Sequence, residues 1–319
     1  MTDEPPSATE PSPENTTSQL VETIMRGECA AFIGSGTSIP IGYPRLSELL
    51  QQLAIEAGVP ELQEKGITDT WMQDFQALRD SLGLERYRGC LLHQFDHRAR
   101  GSDFSSVLLH ILGTPFCAFV TTNYDQCLEF AARDSSTQFE RNSFAYPNLP
   151  ATKLRGGHIF HPHGYIQPEI PDTVRSVILT SQDYVDAYET TGATSGFIRT
   201  LFSELDVLFV GFGWEDFVLL GAIAEAFSAR ATMETLAAER DLPIAREKRR
   251  FALVDTDTLE RDNRGHGYLR RLGVIPISYD KGVAHGPLNS IVRELRVDST
   301  GVAFPPTPSL PPGFLDPGD

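Results

Sequence analysis

Four short groups of residues in this chain each directly follow an apolar run: Gly34-Ser35-Gly36-Thr37-Ser38, Thr122-Asn123-Tyr124-Asp125, the histidines 161 and 163 before Gly164, and Gly211-Phe212-Gly213. In the first, glycines without β-carbons let the backbone turn sharply and present N–H groups to an anion, while Thr37 and Ser38 add hydroxyls. The order of apolar run, glycine loop and helix is that of a dinucleotide-binding first turn. The spacing is not Gly-x-Gly-x-x-Gly, however, and no phosphate-binding lysine follows, so a plain tight turn is the competing reading. The second group is a polar cluster at a strand end, where open α/β sheets bind ligands. Asn123 or Asp125 could instead cap a helix running to Ala132, but one cap accounts for one residue and not for the cluster.

Alternation along an extended segment puts His161 and His163 on one face and Pro162 on the other. One histidine acting as a general base near neutral pH is the favoured reading. Satisfied core histidines are a second. A metal set of His158, His161 and His163 is a third, and it lacks a nearby carboxylate or thiolate to complete it. In the fourth group the glycines leave room for backbone to approach a ligand, and Asp216 or Glu215 opens the next helix, where a carboxylate suits the helix dipole. Taken together the four groups read as a nucleotide site.

The elements that must position these groups are short and apolar: Cys29–Ile33, Phe116–Val120, His158–His161, Val177–Leu179, Asp206–Val210, Phe251–Val254 and Val274–Ser278. Runs apolar at nearly every position are expected of strands covered on both faces. Helical stretches lie between them, including Pro44–Ala57 with a stop at Gly58, Ala222–Leu236 and Leu288–Leu295. The fold class expected is therefore α/β, a Rossmann-like doubly wound, mostly parallel sheet with helices on both faces. Residues 60–112 show no strand signal and carry Trp71, Phe75, Leu78, Leu91 and Phe95, which predicts a helical insertion serving as a lid or small subdomain.

At 319 residues with 40% hydrophobic content the chain can fill a sizeable core. Residues 1–18 and 299–319 are rich in Pro, Ser and Thr or Pro and Gly and carry acids but no base, so both are expected as disordered tails around a domain over 19–298. A net charge of −16 argues against a nucleic-acid backbone binder. Four cysteines without a Cys-x-x-Cys pair argue against a disulfide framework or zinc ribbon, and the absence of a leader or spanning apolar run makes a cytoplasmic protein without membrane contact the expectation.

The four groups, in this order, resemble the motifs of the sirtuin-like superfamily, and specifically its divergent branch in prokaryotic anti-phage defence. The resemblance covers about residues 20–296. It departs from the deacylases of that family, whose two Cys-x-x-Cys pairs follow the His-Gly motif, since no cysteine follows Cys127 here. The resemblance thus implies an NAD+ hydrolase that cleaves the nicotinamide–ribose bond with water as acceptor and no metal. The alternatives are an NAD-dependent deacylase or ADP-ribosyltransferase, and a catalytically silent sensor of NAD or ADP-ribose. By resemblance, Gly34, Ser35 and Gly36 cradle phosphate with Thr37, Ser38, Thr122 and Gly164 alongside. Asn123 and Asp125 hold the nicotinamide ribose, the carboxamide or the attacking water, His163 acts as base, and Gly211, Phe212 and Gly213 border the adenosine. Because the fold is expected to take up nearly the whole chain, low basal activity is expected to be relieved in a homo-oligomer or by a separately encoded partner such as a helicase-like ATPase or an argonaute-type protein.

Overall fold

A computed structural model describes residues 13–96, 106–134, 141–214, 216–239, 246–264, 267–280 and 286–300. Glu215, residues 1–12 and residues 301–319 therefore lie outside the described residues, as do 97–105 of the expected helical insertion.

A seven-stranded sheet organises the molecule: β1 (Cys29–Ile33), β2 (Ala118–Thr121), β3 (Ser143–Ala145), β4 (His158–His161), β5 (Asp206–Val210), β6 (Arg250–Asp255) and β7 (Val274–Tyr279). The strand order is β3-β4-β2-β1-β5-β6-β7, and every pairing is parallel. The chain fills one side of β1 with β2, the edge strand β3 and then β4 between them, and crosses to the other side of β1 at β5, which puts the topological switch point between β1 and β5. Every residue of β1, β2 and β5 is buried, as parallel strands covered on both faces require. Phe32, Phe119, Phe160, Phe209 and Phe251 supply one fully buried ring on each of β1, β2, β4, β5 and β6. The register sets Phe32 beside Phe209, with ring centroids 5.2 Å apart.

Helices surround the sheet. In chain order these are α1 (Pro13–Met25), α2 (Leu46–Ala57), α3 (Pro60–Gln63), α4 (Trp71–Leu82), α5 (Leu84–Gln94), α6 (Ser106–Gly113) and α7 (Cys127–Asp134). After β4 come α8 (Ser181–Tyr184), α9 (Ala193–Glu204), α10 (Phe217–Glu239), α11 (Thr256–Arg264), α12 (Tyr268–Arg271) and α13 (Gly286–Thr300). One group joins α1, α6 and α13, while α9 packs on α10. Between β1 and β2, the stretch expected as a helical insertion holds α3, α4, α5 and α6, and α4 docks back on α8 through the Arg79–Asp183 ion pair at 2.9 Å. Among the described residues no helix is long and apolar enough to cross a membrane.

Three local expectations differ from the structure. Residues 13–18, assigned to the N-terminal tail, lie in α1, because Thr16, Leu20 and Ile24 recur at helical spacing and are all buried. At the other end, α13 runs on to Thr300, two residues into the expected C-terminal tail. Val177–Leu179 is buried but forms no strand: the Ile178 N–H donates to the His163 carbonyl at 2.9 Å, and the Ile178 carbonyl accepts from the Tyr124 hydroxyl at 2.7 Å. A turn and a side chain thus satisfy the backbone that a ladder would otherwise pair. The seventh strand is instead β3, three half-buried residues at the sheet edge, too short to show as an apolar run.

Candidate active site

All four sequence groups emerge at the carboxyl end of the sheet, after β1, β2, β4 and β5. There they border one cavity that encloses about 840 Å3 when its open mouth is counted. Of the residues singled out in the sequence, Gly34, Ser35, Ser38, Thr122, Asn123, Asp125, His163, Phe212 and Gly213 are in its wall.

Gly36, Thr37, Gly164 and Gly211 are not in the wall, and each has a structural task. The loops after β1 and β5 run against each other at the switch point. The Gly34 N–H donates to the Val210 carbonyl and the Gly36 N–H to the Gly211 carbonyl, both at 2.9 Å. A β-carbon on Gly34 would overlap the Gly211 carbonyl oxygen, and Gly211 itself has φ near 64°. These glycines therefore let two backbones meet, which spends the Gly36 N–H within the protein. The Thr37 hydroxyl is spent as well, donating to the Gly34 carbonyl at 2.9 Å. Gly164 sits where a β-carbon would overlap the Ser176 carbonyl oxygen, so the missing β-carbon admits the segment 176–178.

Asn123, Ser38 and Asp125 form a buried chain of polar contacts. Asn123 Nδ2 donates to Ser38 Oγ at 3.0 Å, the Ser38 side chain also bonds Asp125, and Asp125 Oδ1 accepts from the Cys127 N–H at 3.0 Å. Burial pushes the Asp125 carboxyl above its ordinary range, and the bonds from Cys127 and Ser38 oppose that shift. Both readings of Asp125 are thus partly realised, since it borders the cavity while its carboxylate holds the first turn of α7.

The two histidines part company. β4 ends at His161, and the turn closed by the Gly164 N–H on the His161 carbonyl ends the alternation that would have aligned their rings. His161 Nε2 meets Glu129 Oε1 at 2.8 Å, and the same oxygen accepts from Ser143 Oγ at 2.6 Å. Burial alone would lower the His161 pKa, but the Glu129 charge and hydrogen bond raise it above its ordinary value. Burial likewise opposes ionisation of Glu129, and His161 then Ser143 bring that carboxyl below its ordinary range. His161 is therefore a satisfied core histidine, whereas His163 lines the cavity. There its Nε2 lies 2.7 Å from the Tyr188 hydroxyl and its Nδ1 lies 3.8 Å from Asp216 Oδ2. Burial lowers the His163 pKa and Asp216 partly restores it. His158 stands apart, within 3.3 Å of the Asn142 N–H and edge-on to Phe144. Among the described residues no three His, Cys, Asp or Glu side chains come together as a metal set.

Sequence reasoning missed the aromatic walls. Tyr43, Phe95 and Tyr124 line the cavity with the Phe95 ring against both tyrosines, Trp71 meets Tyr184 edge-on at 5.7 Å, and Trp214 packs on Phe209 and Phe212 at 4.9 Å. Trp71 and Phe95 were legible only as apolar positions of the helical insertion. Trp214 has φ near 58°, a left-handed conformation rare for a bulky side chain and held here by its ring contacts.

A cavity at the switch point of a parallel sheet, lined by Asn123 and His163, is now joined by a sequence match. The profile of the SIR2-like domain family matches residues 117–268, from the start of β2 through Asn123, His163 and the β5 loop. That segment is similar to SIR2-like domains. Three curated relatives are named NAD(+) hydrolase ThsA. The protein from Bacillus cereus (strain MSX-D12) is 23% identical over 201 residues, that from Enterococcus faecium 28% over 201, and that from Acinetobacter baumannii (strain 532279) 26% over 202. These alignments cover 61–62% of this chain and 39% of each relative, so the chain spans about two fifths of their length. The β1 loop lies outside the matched SIR2-like segment. Its place in the site rests on geometry, through the Asn123–Ser38 bond and the backbone contacts of Gly34 and Gly36 with the β5 loop.

Proposed function

We propose that this protein hydrolyses NAD+ at the nicotinamide–ribose bond, releasing nicotinamide and ADP-ribose. The observation that carries the reading is the convergence of Asn123, Asp125 and His163 on one aromatic-walled cavity at the sheet's carboxyl end. The names of the curated relatives support it. Breaking that bond develops positive, oxocarbenium-like charge on the ribose, so the site must hold the dinucleotide rigidly and deliver water to the anomeric carbon. In this reading Ser35 and Ser38 face the diphosphate, Gly34 lets the β1 and β5 loops meet beside it, and Phe212 and Gly213 border the adenosine. Asn123 orients the nicotinamide ribose or the attacking water. His163, kept neutral by burial, accepts a proton from that water or from a ribose hydroxyl. Asp125 holds Ser38 and the start of α7, so that Asn123 keeps its orientation.

At the level of the cell we propose a cytoplasmic, NAD-depleting effector of anti-phage defence. Its basal turnover is low until homo-oligomerisation or a separately encoded activator, a helicase-like ATPase or an argonaute-type protein, relieves it. The test is NAD+ loss by the purified protein, alone and with the product of the neighbouring gene, with products separated by chromatography. Wild type is expected to yield nicotinamide and ADP-ribose, and His163→Ala and Asn123→Ala to lose about 10²-fold or more of that rate. Saturable NAD+ binding without turnover under every condition would overturn the hydrolase reading. A constitutively active monomer would overturn the proposed control.

A further inference from the structure

The environment of His163 extends beyond the residues a sequence reading selects. Its Nε2 is engaged by the hydroxyl of Tyr188, which stands outside the cavity wall. Its Nδ1 faces Asp216 Oδ2 at 3.8 Å, on the side where Asp216 and Tyr184 border the cavity. The same oxygen accepts from the Tyr184 hydroxyl at 2.6 Å, and the other carboxylate oxygen accepts from the Leu219 N–H at 2.9 Å as α10 begins. The carboxylate is thus fixed from two directions. Tyr184 and Tyr188 stack at 5.5 Å with planes 12° apart, Tyr184 ending α8 and Tyr188 lying in the π-helical turn Val185–Thr190 that continues it. Such π turns recur at functional sites.

Resting on the proposed hydrolase reading, we propose that Tyr188 and Asp216 are positioning residues that make His163 a base at Nδ1: Tyr188 fixes the ring through Nε2, and Asp216 stabilises the imidazolium. The proton balance is complete within these groups. Neutral His163 carries its proton on Nε2 and donates it to Tyr188 Oη. The Nδ1 lone pair takes a proton from the attacking water or ribose hydroxyl, and the resulting Nδ1–H points toward Asp216. The titratable groups facing the ring are Asp216, from the loop before α10, and Tyr184 and Tyr188 from the α8 segment. Burial raises both phenols well above their ordinary values, so Asp216 is the charge that tunes the ring near neutral pH.

The test titrates the His163 imidazole by NMR in the full chain without NAD+, with the resonance assigned by its loss in His163→Ala. The pH dependence of NAD+ turnover is measured in parallel. Asp216→Asn removes the charge at nearly constant shape: its one amide oxygen can keep the Leu219 N–H, while the Tyr184 hydroxyl turns to accept from the amide NH2. The His163 midpoint is therefore expected to fall by about one pH unit or more, and the acid limb of kcat with it. Tyr184→Phe strips a donor from Asp216 and is expected to move the midpoint the other way. Tyr188→Phe is expected to change the Nε2 resonance and lower kcat by about tenfold or more, part of the roughly 10²–10⁴-fold a placed base contributes, with KM little changed. An unmoved midpoint in folded Asp216→Asn, equal shifts of one sign in Asp216→Asn and Tyr184→Phe, or a wild-type kcat in Tyr188→Phe would each overturn the proposal. The titration needs no turnover: if wild type fails to hydrolyse NAD+, the hydrolase reading falls while the midpoints still decide whether Asp216 charges His163.

Discussion

Two histidines separated by one residue do different work because of what each touches. His161 is closed into a pair with Glu129 beneath the Asn123 carbonyl, 3.4 Å from His161 Nδ1, while His163 is open to the cavity. The pair sets a pH window for stability. The depressed Glu129 pKa gives stability that is present above the ordinary carboxylate range and lost as pH falls through the folded value; the raised His161 pKa gives stability that is present below about 6.5 and lost as pH rises through its folded value. Urea unfolding of wild type should therefore show stability declining as pH rises above about 6.5 and through the raised folded value of His161. Glu129→Gln removes the partner charge, so it should be less stable near neutrality and should flatten that alkaline decline. An equally steep decline in the variant would show that the pair does not set it. Asn123 and His163 were legible in the sequence because a polar residue just past an apolar run stands out. The separation of His161 from His163 was not, since it depends on where β4 stops and on Glu129, which is 32 residues away in the chain.

Each loop that borders the cavity begins where a strand ends, and the strands were largely readable because parallel strands covered on both faces show as unbroken apolar runs. β3 and the segment 177–179 escaped that rule for opposite reasons. The first is paired but too short and half-exposed, while the second is apolar and buried but bonded to a turn and a tyrosine. The glycine loop after β1 was readable as a place of close approach, but not for what approaches. In the structure the neighbour is the β5 loop, with the Gly34 α-carbon against the Gly211 carbonyl. Gly34→Ala should therefore act on the fold before it acts on any ligand. It should push the β1 and β5 loops apart, lower stability by about 1–3 kcal/mol as overpacking does, and weaken NAD+ turnover by displacing Ser38 and its bond to Asn123. Thermal unfolding and turnover measured on the same preparation check both parts. Wild-type stability with lost turnover would instead indicate that Gly34 serves the ligand alone.

Across the whole molecule, the cavity and the Asp206 ion cluster occupy opposite ends of the sheet. The carboxyl ends of the strands carry the cavity, whereas the start of β5 carries fully buried Asp206, which meets Arg246 at 2.6 Å and accepts from the Arg249 N–H at 2.6 Å. Glu28, just before β1, takes the same Arg246 nitrogen at 2.7 Å, so this cluster ties the entry to β1 to the entries of β5 and β6. Deleting one member of a buried ionic pair leaves the other uncompensated, at roughly 3–5 kcal/mol when both are enclosed. Arg246 is about one third exposed, and water then screens and re-solvates it, so Asp206→Ala should lie near the lower bound, about 3 kcal/mol, with part of that from the orphaned Arg249 N–H. The five residues of β5 separate this cluster from the loop that borders the cavity, some 16 Å at the parallel-strand rise of about 3.3 Å. The variant that remains folded should therefore keep wild-type KM and kcat for NAD+, which makes Asp206→Ala the counterpart of His163→Ala, whose loss of turnover should persist at temperatures well below its own unfolding. Urea unfolding and NAD+ turnover on both variants test the division. A catalytic loss in Asp206→Ala at temperatures well below its unfolding would show that the two ends of β5 are coupled and that the sheet transmits strain to the site.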